Sequence, residues 1–176
     1  LDLITLEYRS KMRAKFATLE LTKTIDNVAD RFKVLVKGKD KAGEFYRKHL
    51  SALFAYVSNR IPEITEDLYK IDDAMKAGFG WGHGPFQIWD AIGVEKGIEM
   101  MKAEGYEPNA WVNDMLASGS DNFYSIKNGA TYAYDIPKKS QEKIPDQDSF
   151  IILDNIRKSN EVFKNSGVVV EDLGDG

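Results

Sequence analysis

The chain has no cysteine, so disulfide bridges and thiolate catalysis are excluded; their absence fits a reducing compartment such as the cytoplasm. It has two histidines, His49 and His83, and no spacing of His, Asp and Glu that reads as a metal site. No apolar run approaches the length of a membrane span or a signal peptide, so no membrane partner is expected. Basic residues do not dominate: 24 Lys and Arg stand against 28 Asp and Glu, for a net charge of −4, and nothing marks a nucleic-acid partner. Prolines are few, five in all, and each reads as a boundary. What is present is apolar residue in quantity. At 43% of 176 residues it can build one sizeable core, which sets the expectation of one domain with a small appendage.

The apolar residues recur mostly at helical spacing. Thr18 is placed to cap a helix running to about Lys37, with Leu21, Ile25, Val28, Phe32 and Leu35 on one face and Gly38 after its end. A longer stripe runs through Phe45, His49, Leu53, Val57, Ile61, Ile64 and Leu68; Pro62 lies inside it and predicts a kink or break near residues 58–61. Further helices are expected over Ile71–Lys76, from Pro85, over Val94–Lys102 and from Pro108, the last burying Trp111, Val112, Met115 and Leu116. Beyond Ser118 the character changes. Asn128-Gly129 between two β-prone runs is a strong hairpin signal. Residues 136–148 hold Pro137, Pro145 and many charges and read as a linker. A short helix is expected over Phe150–Lys158. A second hairpin is expected around Asn165-Ser166-Gly167, with further partners of Val168–Val170 in a following domain. The resulting division is a lead-in over 1–17, a helical domain over 18–120, a β-hairpin over 121–135 and a linker over 136–176. The chain starts without Met and stops just past an apolar run, which is the expectation for a piece of a longer protein.

The whole is organised around Ile71 to Val94. Glycines at 78, 80, 82 and 84 space a loop that carries Phe79 and Trp81 between two helices. Three blocks stand out: Ile71-Asp72-Asp73-Ala74-Met75, Gly78-Phe79-Gly80-Trp81, and Gly84-Pro85-Phe86 followed by Trp89-Asp90 and Gly93. Together they resemble the signature of the C-terminal helical domain of L-3-hydroxyacyl-CoA dehydrogenases, most closely the multidomain members joined to an enoyl-CoA hydratase. The resemblance implies a mainly α domain, similar to the fold of the 6-phosphogluconate dehydrogenase C-terminal domain, with a small β-hairpin appendage. It also implies a fatty-acid β-oxidation parent that oxidises L-3-hydroxyacyl-CoA to 3-ketoacyl-CoA with NAD, through a histidine base in a separate nucleotide-binding domain. Neither His49 nor His83 matches that histidine's context, so the fragment alone is expected to be inactive and to hold no cofactor of its own. Its expected partners are the remaining domains of the parent chain, including a hydratase domain, the acyl-CoA substrate, and a second copy in a homodimer.

The glycine-rich loop is not a dinucleotide fingerprint, because Pro85 follows Gly84 and a helix, not a strand, precedes it. Ser58-Asn59-Arg60 resembles the Asn-Arg pair with which a long family helix begins, where the asparagine holds catalytic geometry. Pro62 and the lead-in depart from that pattern; the departures imply a second helical copy, in which Asn59, the candidate catalytic residue, is expected to be structural. Asp72 and Asp90 read as capping or loop-bracing groups. Trp81 and Phe86 are the candidates for contact with an acyl chain, against the alternative of plain core packing. Arg9, Lys11, Arg13 and Lys15 read as a solvated lead-in, with a CoA phosphate site as the other reading. Two further classes stay open: a stand-alone helical dimerisation module, and an acyl-CoA-binding module without catalysis.

Overall fold

The computed structural model describes residues 1–8, 10, 14–149, 151–156, 161–165 and 167–173. Arg9, Lys11, Arg13, Phe150 and Lys158 lie outside them. Where one helix is expected over 18–37 there are two, α1 (Ala17–Thr22) and α2 (Val28–Lys37). The intervening Lys23-Thr24-Ile25-Asp26-Asn27 is poor in helix formers, and the Asn27 side chain accepts from the Asp30 N–H at 3.1 Å, starting α2 afresh. Thr18 is no cap; it is buried inside α1, and its N–H donates to Asp40 at 2.9 Å. Asp40 also accepts from the Gly43 N–H at the start of α3 (Lys41–Asn59), so one carboxylate ties two helix starts. Those donors, Thr18 first, hold its pKa at about 2.

The stripe through Pro62 is divided as expected. Helix α3 stops at Asn59, and α4 (Leu68–Phe79) begins after a turn, ending in the left-handed Gly80 (φ 66°). Helices α5 (Pro85–Ile92), α6 (Val94–Ala103) and α7 (Ala110–Ala117) follow. Their inward faces meet in an aromatic core. Trp89 stacks on Phe54 at 4.8 Å and meets Phe123 edge-on at 5.0 Å, while Phe86 meets Phe123 at 5.0 Å. The two core indoles also satisfy their N–H groups: Trp89 donates to the Val94 carbonyl and Trp111 to the Ser58 carbonyl, each at 3.0 Å. Gly97 stands where a Cβ would lie 2.1 Å from Trp89 Nε1, so α5 and α6 can pack only with glycine there.

Residues 121–135 form the expected hairpin, β1 (Tyr124–Lys127) and β2 (Ala130–Asp135), turning through Asn128 (φ 51°) and Gly129 (φ 76°). The linker expectation is corrected at its front. Ser140–Lys143 form a third strand, β3, antiparallel to β2, and the Gln147 amide bonds both the N–H and the carbonyl of Thr131. Its sequence hid it because an edge strand of Ser-Gln-Glu-Lys has no apolar alternation to read. The sheet is not a loose attachment. Phe123, Ala133 and Tyr134 are buried in the same core as the helices. After a short α8 (Leu153–Ile156), β4 (Glu161–Lys164) and β5 (Val169–Glu171) pair as the second hairpin, with Phe163 and Val170 still exposed.

Candidate functional site

The glycine loop is held by a buried carboxylate, Asp72, and a second, half-buried one, Asp90, braces the sheet beside it. Asp72, on α4, reaches across to the start of α5, where Oδ1 accepts from the Phe86 N–H at 2.9 Å and Oδ2 from the Gln87 N–H at 3.0 Å. The Tyr124 hydroxyl donates to the same Oδ2 at 2.9 Å. Gly84 is required beneath this contact: a Cβ there would stand 2.3 Å from Asp72 Cβ. Asp90 braces the sheet, accepting from the Phe123 and Tyr124 N–H groups at 2.8 Å each. Burial pushes Asp72 up to about 6 and Asp90 up to about 7, with the N–H donors opposing it in both. Burial and the Asp72 charge raise Tyr124 as well, so it stays a neutral donor.

This arrangement bears on cofactor chemistry. A nucleotide phosphate at a helix N-terminus uses free backbone N–H groups. At α5 those of Phe86 and Gln87 already serve Asp72, and the Gly84 N–H is accepted by the Gln87 side chain at 3.0 Å. A carboxylate occupies the place of the phosphate, so this loop does not fit a dinucleotide. Among the described residues no group of three or more His, Cys, Asp and Glu is placed to hold a metal ion.

On its other side the loop closes an apolar cavity of about 300 Å³. Val28 and Phe32 of α2, Tyr46, His49, Leu50 and Leu53 of α3, the loop residues Trp81 to His83, and Ile88 of α5 line it. The size and lining are those of a small apolar ligand site. His83 also borders a second, more polar cleft of about 620 Å³ between α4, α5 and the sheet, where Asp73, Asp90 and Asp146 outnumber Lys76. That balance disfavours an anionic head group there.

The site candidates are thus separated. Trp81 is half-buried on the cavity wall, whereas Phe86 is fully buried among Trp89, Trp111 and Phe123. Asn59 lies at the end of α3, where its Nδ2 donates to the Ala55 carbonyl at 2.8 Å and its Oδ1 accepts from Asn109 at 3.4 Å. It ties α3 to the start of α7. His49 is exposed on the rim, stacked on Phe45 at 5.7 Å. Asp72 braces the loop by capping a helix other than its own, and Asp90 braces the start of the sheet. Tyr124 and the cavity role of Val28 and Gly82 carried no sequence signal, since both depend on contacts distant along the chain. Lys15 is exposed.

Comparison with known proteins agrees with the architecture. Residues 45–122 match the family 3-hydroxyacyl-CoA dehydrogenase, C-terminal domain, a span that runs from the first turn of α3 through α7 and includes the loop. The chain is 34% identical over 99% of its length to a "Probable 3-hydroxyacyl-CoA dehydrogenase" of Bacillus subtilis, of which it covers 22%. It is also 33% identical, over 34% of its length, to a "Putative fatty acid oxidation complex trifunctional enzyme" of Rickettsia prowazekii, covering 8% of that protein. No solved structure matches. Residues 45–122 are thus similar to the C-terminal domain of 3-hydroxyacyl-CoA dehydrogenases, and the chain spans about a fifth of the Bacillus relative. No helix among the described residues is long and apolar enough to cross a membrane.

Proposed function

We propose that this chain is a substrate-side helical domain of a parent enzyme that oxidises L-3-hydroxyacyl-CoA to 3-ketoacyl-CoA with NAD. The observation that carries this reading is the apolar cavity between α2, α3 and the glycine loop, which offers Trp81 to an acyl chain. The domain supplies shape and desolvation for the apolar part of the substrate. Hydride acceptor and general base belong to the parent's other domains, which are its partners together with the acyl-CoA. Asn59 acts here as a structural tie, and Phe86 supports the loop from the core side. By itself the chain is inactive and takes no nucleotide.

Calorimetric titration tests this. An acyl-CoA should give saturable heat, and NAD should give no binding tighter than about 1 mM. A flat acyl-CoA titration favours the second reading, an assembly module that pairs two copies in a homodimer. Phe45, Tyr56 and Phe79, 60%, 62% and 72% exposed, support that reading.

A further inference from the structure

Exposure orders the residues that line the apolar cavity by depth. Leu50 of α3 and Ile88 of α5, 2% and 3% exposed, belong to the continuous core and form its floor. Close-packed core lies beyond them: Phe54, one turn on from Leu50, and Trp89, next to Ile88, are fully buried and stacked on each other at 4.8 Å. Phe32 and Leu53 are half-buried and pack against that core as walls. The lining residues with polar tips, Tyr46, His49 and His83, are all partly or largely open to solvent. The cavity is therefore a well. Its floor is aliphatic, with no side chain there that can hydrogen-bond, and its polar groups lie toward solvent.

We infer that the well takes the methyl end of a single acyl chain, end first, and that its volume limits the length it can bury to about twelve carbons. This rests on the substrate-side reading above and adds the direction and length of the chain that the site takes. Length follows from volume. An apolar cavity of about 150 Å³ accommodates one benzene ring. This well, at about 300 Å³, holds about twice as many carbons. Direction follows from the floor. A hydroxyl or carboxyl group pressed against Leu50 and Ile88 would lose its water and find no side-chain partner, and an unpaired buried polar group is costly. A head group left at the mouth keeps its water, and Tyr46, His49 and His83 belong to the same lining.

The test titrates the full chain by calorimetry with saturated straight-chain acyl-CoAs of increasing length, each below its micelle concentration. Affinity should rise about three- to fourfold with each added methylene and level off at about twelve carbons. A hydroxyl at the far end of a chain short enough to fit should weaken binding at least about fivefold. Leu53→Trp fills part of the well and should move the levelling point to shorter chains by several carbons. Phe32→Ala enlarges it and should move that point to longer chains, which serves as the check should Leu53→Trp fail to fold. Affinity that climbs unchanged well past the predicted length, a far-end hydroxyl without effect, or a levelling point that a folded variant leaves in place overturns the inference and leaves the substrate-side reading standing. No acyl-CoA binding by the unaltered chain overturns both.

Discussion

Trp81 and Trp89 lie eight residues apart, on the same loop-to-helix stretch, and end in opposite surroundings. Trp89 is fully buried, stacked on Phe54, with its N–H spent on a carbonyl. Trp81 is half-buried on the wall of an open cavity. Both belong to the same apolar neighbourhood, yet one indole is enclosed and the other borders a cavity. The difference lies in what faces each indole. Around Trp89, three aromatic residues pack on the indole: Phe54 of α3, Phe86 of α5 and Phe123 just before β1. Around Trp81, aromatic and aliphatic residues of α2, α3 and α5, Phe32, Tyr46 and Leu53 among them, line the cavity without closing over the indole.

The sharpest way to break this comparison is to delete each indole. Trp89→Ala should cost about 3–5 kcal/mol in denaturant unfolding, the range for truncating a large core aromatic. Trp81→Ala should cost about 1 kcal/mol or less, because a half-buried side chain beside a void leaves little new cavity, but should weaken acyl-CoA binding. Equal losses at the two positions would mean that the cavity is not open in solution.

Next in size is Gly97→Ala. The added carbon would lie 2.1 Å from Trp89 Nε1, so α6 must shift or the indole must turn and lose its bond to Val94. A loss of about 1–3 kcal/mol is expected, the usual cost of overpacking. A neutral result would show the closed core to be looser than its geometry.

The braces between the regions give a pH dependence. Asp72 and Asp90, at about 6 and about 7, lie above the ordinary 3.8 of an aspartate in the unfolded chain. The folded state therefore binds more protons between those values, and this contribution to stability is full below pH 4 and lost as pH rises through 6 to 7. Asp40 works in the opposite direction only below pH 4, where its lowered pKa matters. From pH 4.5 to 7.5 the melting temperature should fall, and Asp90→Asn should flatten that fall. A melting temperature that rises over this window would show that the N–H donors outweigh burial.

Much of this was legible in the chain, for identifiable reasons. Helical spacing and prolines located α3 through α7, and the three residue blocks around Gly78–Trp81 placed the family. The hairpin at Asn128-Gly129 follows from backbone chemistry alone. Three things were hidden. The break at Lys23–Asn27 was masked by Leu21 and Ile25, which continue the apolar period through residues that do not favour helix. Strand β3 is polar because it is an edge. The cavity is hidden because apolar spacing marks which side chains turn inward and not whether they meet. Phe32 and Leu53 carry the same signal as Phe54, and only tertiary packing separates a wall from a core.

The smallest expected effect isolates that last point. Gly82→Ala adds one carbon at 3.9 Å from Val28 in a backbone conformation open to alanine, so the folded state gains an ordinary contact and loses none. The unfolded chain meanwhile loses conformational freedom. The variant should be unchanged or more stable by about 0.4–1 kcal/mol, in contrast to the same substitution at Gly97. Paired urea titrations of the two variants measure the contrast directly. A loss of about 1 kcal/mol or more at Gly82 would mean that the loop packs more tightly against α2 in solution than this contact distance shows.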